Sequence, residues 1–138
     1  MPSISPYLFF DGNCREAMTA YAEILGGELL AMMSFAEAPE IEGFPKVPED
    51  LIMHAAVGFA GHMIMGCDDM PGRNVRPAST YVSVSLQETA QARQVFDRLS
   101  EGGEVLMAFD KAFFADGFGS LRDRWGQLWM VSTDTGMG

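Results

Sequence analysis

Apolar and polar positions follow one another along this chain in an order that occurs twice. Pro6 to Phe10 is a short apolar run of strand composition, and Asp11-Gly12-Asn13 stops it and caps the next segment. Ala17, Ala20, Tyr21 and Ile24 then recur at helical spacing, with Arg15, Glu16 and Glu23 mostly off that face. This predicts a helix ended by Gly26-Gly27. Glu28 to Phe35 reads as a strand, and Ile52 to Phe59 with His62 to Cys67 reads as a hairpin turning at Ala60-Gly61. At Ser79 to Leu86 the order begins again with a strand. A helix over Thr89 to Ser100 comes next, carrying Ala92, Val95, Phe96 and Leu99 on one face, and then Gly102-Gly103-Glu104-Val105-Leu106. The two helical faces superimpose at an offset of about 75, and one extra residue brings Gly102-Gly103-Glu104 under Gly26-Gly27-Glu28. Gly61-His62-Met63-Ile64-Met65 aligns likewise with Gly126-Gln127-Leu128-Trp129-Met130, so each half is strand, helix, then three strands.

Such a repeat predicts an α+β fold of two tandem βαβββ modules, about 1–70 and 78–138, in a single domain. The modules are expected to share a curved, cup-like mixed sheet with the helices outside and a ligand cavity between the copies. The edges of an eight-stranded cup call for a partner, and a homodimer is the expected assembly. Two segments lie outside the repeat. Ala36 to Asp50 combines Pro39, Pro45 and Pro48 with Glu37, Glu40, Glu42, Glu49 and Asp50, the composition of a mobile loop that covers a cup. Asp68 to Ala78, with two prolines and a glycine, joins the halves.

Composition narrows the partners. With 138 residues, 48% of them hydrophobic, the chain can bury a substantial core. A net charge of -10 argues against nucleic acid and anionic membranes, which are recognised through basic patches. No uncharged apolar run reaches membrane-spanning length, and Met1-Pro2-Ser3 lacks the basic start of a signal peptide, so a cytoplasmic location is expected. Cys14 and Cys67 make no disulfide framework and read as reduced thiols. The eleven methionines are either core filler or adaptable lining for a ligand.

Three pieces, PYLFFDGNCREAMTAYAEILGGELL, IMHAAVGFAGHMIMGCDD and FGSLRDRWGQLWMVS, resemble the glyoxalase, bleomycin-resistance and extradiol-dioxygenase superfamily, the vicinal oxygen chelate proteins. Within it the chain looks closest to the PhnB-like branch, whose members often carry the label 3-demethylubiquinone-9 3-methyltransferase. No Gly-rich strand-to-helix turn for a nucleotide-type cofactor is present, so no cofactor is expected. The resemblance implies that metal-using relatives hold a divalent ion with two His and two Glu, one from each of four strands. Carried over one at a time, these positions fall on Pro6, Met65, Tyr81 and Met130, none of which matches. Thioethers favour soft ions over the hard or borderline ones such sites use, so no metal is expected.

Side chains alternate across a strand, so one cup-facing position implies the others. If Pro6 and Tyr81 face the cup, so do Leu8, Phe10, Ser83 and Ser85, while Tyr7, Phe9, Val82, Val84 and Leu86 face the helices. Met65 brings Met63 and Cys67 inward, and Met130 brings Leu128 and Ser132. A two-residue turn at Ala60-Gly61 sets position 54 across from 67, so His54 shares the cup with Cys67. The candidate ligand-binding residues are therefore Phe10, His54, Met65, Cys67, Tyr81, Ser83 and Met130, with Trp125 beside the Arg122-Asp123-Arg124 rim. His54 is either a general base or a buried histidine satisfied by backbone. A His54 and Cys67 nucleophilic pair lacks an orienting third residue. Phe113, Phe114 and Phe118 either wall the cavity or fill the core. Two functions remain open. One is metal-independent binding of a small organic molecule, hydrophobic or cationic, as in bleomycin-resistance-type proteins. The other is an isomerase, lyase or transferase using His54 as base.

Overall fold

In the computed structural model, which describes residues 2–37 and 47–134, the chain divides into two compact units, Met1–Val75 and Arg76–Gly138. The first contains β1 (Tyr7–Phe10), α1 (Cys14–Leu25), β2 (Glu28–Ser34), a 3-10 turn (Phe35–Glu37), β3 (Ile52–Phe59) and β4 (His62–Asp68). Its four strands lie in the order β1-β4-β3-β2, with β1 parallel to β4 and the other neighbours antiparallel. The second contains β5 (Tyr81–Leu86), α2 (Thr89–Ser100), β6 (Glu104–Ala112), β7 (Ala115–Arg122) and β8 (Leu128–Thr133). Its order, β5-β8-β7-β6, repeats that topology with the same pattern of directions.

The twin Gly-Gly pairs each do two things. Gly26 and Gly102 take a left-handed backbone, φ 73 in both; Gly26 caps α1 without a Cβ penalty, and Gly102 lies in the turn just after the Glu101 cap of α2. The second glycine of each pair is a close approach: a Cβ on Gly27 would run into the carbonyl oxygen of Gly58, and one on Gly103 into that of Arg122. Between β3 and β4, Ala60 (φ 50) and Gly61 (φ 83) are both left-handed, the two-residue hairpin that the sequence predicts.

One face of each sheet is covered by its helix. Phe10, Ala17, Met18, Tyr21, Leu25, Ala55 and Val57 form the core of the first unit, and Val84, Val95, Phe96, Leu99, Leu121 and Trp129 that of the second. The buried stripe of α2 is the expected one, but α1 is rolled relative to expectation. Cys14, Met18, Ala22 and Leu25 are buried, whereas Ala20 and Ile24 are only half-buried. The long Met18 side chain reaches over Gly66, where a Cβ would sit 3.3 Å from its sulfur, and so draws that side of the helix onto the sheet.

Asp68, at the end of β4, ties the first unit together. Its Oδ1 accepts the amide N–H of Cys14 at the start of α1 (2.9 Å), and its Oδ2 accepts that of Ile52 at the start of β3 (2.8 Å). The acidic connection after β2 is closed at its neck, where Phe35 N–H donates to the Leu51 carbonyl and Ala36 N–H to that of Glu49, each at 3.0 Å. The expected covering loop falls largely on residues 38–46, outside the described residues. Among the described residues, no helix is long and apolar enough to cross a membrane.

Candidate functional site

The uncovered face of the first unit is built by register. β1 runs beside β4 with Tyr7 opposite Met65 and Phe9 opposite Cys67, and β2 sets Met33 opposite His54. Gly66, opposite Leu8, lies under Phe10 and Met18 and therefore faces the helix. Tyr7, Phe9, Met65 and Cys67 consequently point the other way. The expected placement of Phe10 in the cavity is thereby corrected: it is 1% exposed and packs on Tyr21 of α1, with ring centroids 6.3 Å apart. Tyr7 and Phe9 occupy the open face instead, 41% and 50% exposed.

This reversal of β1 has a specific origin. Three residues, Asp11-Gly12-Asn13, separate β1 from α1, but only Gln87 and Glu88 separate β5 from α2. An offset taken from the helices therefore slips the first strand by one residue, which exchanges its faces. With Met65 matched to Met130, Tyr7 is equivalent to Ser83, and Ser5, not Pro6, to Tyr81.

The structure does bring His54 and Cys67 together, and it joins both to Tyr7. The Tyr7 hydroxyl lies 3.1 Å from His54 Nδ1 and is hydrogen-bonded to the Cys67 thiol as well. Burial raises the Tyr7 hydroxyl above its usual range, reinforced by Cys67 and Cys14, so it stays protonated at neutral pH. Burial, then the carboxylates of Asp69 and Asp68, push the Cys67 thiol up to about 11. A thiol held there rests protonated at neutral pH. Around this cluster lie Met33, Met63 and Met65, so the face is apolar and sulfur-rich with a single polar knot. Tyr7 and Phe9 are hidden from the sequence pattern by the one-residue slip, and Met33 because nothing in its strand marks a face.

The uncovered face of the second unit differs. Tyr81, Ser83 and Ser85 are exposed while Val84 and Leu86 are buried, as their alternation predicts. Ser83 lies opposite Met130 and Ser85 opposite Ser132, with their hydroxyls 3.1 Å apart in the latter pair. Phe118 and Ser120 of β7 join this face opposite Ser132 and Met130. Phe113 is fully exposed and Phe114 39% exposed, so these two are not core. Trp125 stands in the β7–β8 turn, half-buried, its ring 5.5 Å from the Arg124 guanidinium carbon. The expected Arg-Asp-Arg rim resolves into structure: Asp123 accepts the N–H groups of Trp125, Gln127 and the Trp129 indole, and Arg122 donates to the carbonyls of Pro77 and Gly126.

The hard divalent ion of metal-using relatives does not fit these residues. The four positions carried over, with Ser5 now in place of Pro6, offer a hydroxyl, two thioethers and a phenol, and no carboxylate or imidazole. Among the described residues no group of three or more His, Cys, Asp or Glu side chains is placed to hold a metal ion.

The model of the family described as 3-demethylubiquinone-9 3-methyltransferase matches residues 2–132. The chain belongs to that family. Among its curated relatives is protein YjdN of Escherichia coli, 36% identical, with 94% of this chain and 93% of YjdN covered. The crystal structure of protein PA1353 from Pseudomonas aeruginosa superposes with a TM-score of 0.89 at 37% identity, covering 97% of this chain and 98% of that one. A glyoxylase/bleomycin resistance protein/dioxygenase domain from Frankia superposes with a TM-score of 0.61 at 16% identity, covering 96% and 98%. The fold is thus that of the glyoxalase and bleomycin-resistance proteins.

Proposed function

We propose that this family member binds a small, partly apolar organic molecule against the open sheet face of its first unit, without a hard divalent ion. The observation that carries this reading is the face itself. Tyr7, Phe9, Leu30, Met33 and Met63 are each about 40–50% exposed, an apolar surface with one oriented polar group, the usual composition of a small-molecule site. Methionine and aromatic side chains adapt to ligand shape, and the His54–Tyr7 pair supplies a hydrogen-bond donor and acceptor that fix orientation. The methyl transfer in the family's description finds no support in the strand-to-helix junctions: Asp11-Gly12-Asn13 carries one glycine and Gln87-Glu88 none. Net charge of -10 adds a preference for a cationic or neutral molecule over an anionic one.

Native mass spectrometry of protein purified without added metal tests the reading. The expected result is a retained organic mass that persists in EDTA and weakens by roughly tenfold or more in His54→Asn, a loss of about 1.4 kcal/mol in binding. That variant should cost at most about 1 kcal/mol in stability, since one hydrogen bond is at stake. An adduct that EDTA removes together with a divalent metal, or a His54→Asn protein that melts several degrees lower yet retains the molecule, would defeat the proposal.

A second reading has one observation in its favour. His54 Nδ1 is hydrogen-bonded to another side chain, Tyr7, rather than to backbone, the arrangement of an oriented general base. Conversion of the retained molecule, lost in His54→Asn, would establish an isomerase, lyase or transferase.

The same reading makes the protein a cytoplasmic homodimer. Strands β2 and β6, each at the edge of its own sheet, expose Leu29, Leu30, Val105, Leu106 and Met107, and such edges favour association. Light scattering at micromolar concentration should return twice the 15.1 kDa chain mass; a clean monomer counts against it.

A further inference from the structure

The polar knot on the open face of the first unit has a direction. The Tyr7 hydroxyl lies 3.1 Å from His54 Nδ1 and is hydrogen-bonded to the Cys67 thiol as well. A phenol carries one proton, so only one of these two contacts is its own donation. A neutral imidazole nitrogen is a strong acceptor and a thiol sulfur a weak one, whereas the S–H group serves as a weak donor. The best match is a chain in which the Cys67 S–H donates to the Tyr7 oxygen and the Tyr7 O–H donates to His54 Nδ1. Burial keeps both the phenol and the thiol protonated at neutral pH, so each holds the proton this chain requires. A neutral histidine whose Nδ1 accepts carries its own proton on Nε2.

Nε2 is the end left for a ligand. His54 is half-buried, and Tyr7 is its hydrogen-bond partner among the described residues. The one buried side-chain nitrogen or oxygen without a partner there is Asn13 Oδ1, so Nε2 is not a buried orphan but reaches the open face. Beside it across the β2–β3 ladder stands Met33, 40% exposed, whose thioether is a weak acceptor.

We propose that Tyr7 holds His54 as the Nε2–H tautomer and thereby makes the open face selective for a neutral molecule that presents a hydrogen-bond acceptor, a carbonyl oxygen or a pyridine-type nitrogen, to that N–H. Tyr7 is a positioning residue, and His54 Nε2–H is the group that touches the ligand. A molecule without an acceptor leaves the N–H unpaired in apolar surroundings, and one that offers a donor sets two donors against each other, so both bind less well. The same lock opposes proton abstraction by His54, because a base needs a lone pair on the nitrogen that faces its substrate. The ligand class rests on the small-molecule reading of this face; the tautomer does not.

The test follows the histidine ring nitrogens of the isotope-labelled full chain by long-range proton–nitrogen correlation spectra at about pH 8, where unperturbed imidazole is neutral. His54, assigned by the loss of its signals in His54→Asn, is expected to show a protonated Nε2 and an unprotonated Nδ1. The exposed His62 should show averaged nitrogens, and Tyr7→Phe should average those of His54 too. Acetophenone, which carries a carbonyl, and indole, an N–H donor of equal heavy-atom count, are then titrated while His54 is observed. Acetophenone should bind about tenfold more tightly than indole, and Tyr7→Phe should cut that preference to about threefold or less. A lone pair at Nε2 or averaged nitrogens in wild-type His54, a tautomer unchanged in Tyr7→Phe, or equal affinity for the two probes would overturn the proposal. Failure of both probes to move the His54 signals would instead defeat the small-molecule reading, and the ligand class with it, even where the tautomer is the expected one.

Discussion

Asp68→Ala is expected to destabilise the protein by about 3–5 kcal/mol, the range for breaking a buried, charge-assisted hydrogen-bonded group. The carboxylate is 6% exposed and receives two amide N–H groups from segments distant in sequence, Cys14 and Ile52. Alanine would leave both donors buried without an acceptor, and a small side chain offers no substitute. Asp68→Asn keeps one acceptor oxygen and should lose roughly half as much. The repeat supplies an internal control. Asp68 lies opposite Phe10 as Thr133 lies opposite Leu86, and Thr133 only shares a hydroxyl hydrogen bond of 3.1 Å with Thr89. Thr133→Val should therefore cost about 1 kcal/mol. Urea unfolding of the three variants measures the contrast, and an Asp68→Ala protein within about 1 kcal/mol of wild type would show that the two amides find other acceptors.

Gly103→Ala is expected to cost about 3 kcal/mol, at the upper end for overpacking, because the atoms in the way are backbone. The added Cβ would meet the Arg122 carbonyl oxygen and lie 2.9 and 3.0 Å from the carbonyl carbon and Cα of Asp123, none of which can move without distorting the end of β7. Gly27→Ala should behave alike against Gly58. Gly102→Ala, one residue earlier, meets only the Arg124 side chain, which can swing away, and carries mainly the cost of a left-handed alanine, about 1–2 kcal/mol. The ordering of Gly103→Ala above Gly102→Ala in urea unfolding is the diagnostic. Equal losses would mean that the second glycine is conformational rather than a close approach.

Much of this architecture is legible in the chain because different physical signals agree. The helices Cys14–Leu25 and Thr89–Ser100, the hairpin at Ala60-Gly61 and the repeated strand order all come from spacing and turn chemistry. The face of β5 is equally plain, since Tyr81-Val82-Ser83-Val84-Ser85-Leu86 alternates polar and apolar and Val84 and Leu86 turn to the helix. The register of β3 on β4, from Phe59 opposite His62 to Ala55 opposite Gly66, comes from counting across a two-residue turn. Asp68 is recognisable as the end of a strand, but its two amide partners lie 54 and 16 residues away in sequence and are invisible to local pattern.

The sequence by itself determined the repeat, the element types and which side of β5 is covered, because there periodicity or turn length allows only one arrangement, whereas the side of β4 followed from the resemblance carried over to Met65. Tertiary structure alone decided the face of β1. Tyr7-Leu8-Phe9-Phe10 is apolar at every position, so burial can be satisfied by either pair of side chains, and local preference is silent. The parallel register of Tyr7 on Met65, together with Phe10 closing over Gly66 against α1, chose between them. That choice put Tyr7 rather than Phe10 beside His54 and Cys67, and so gave the open face its one polar cluster. A uniformly apolar strand carries no record of its own orientation; its neighbours impose it.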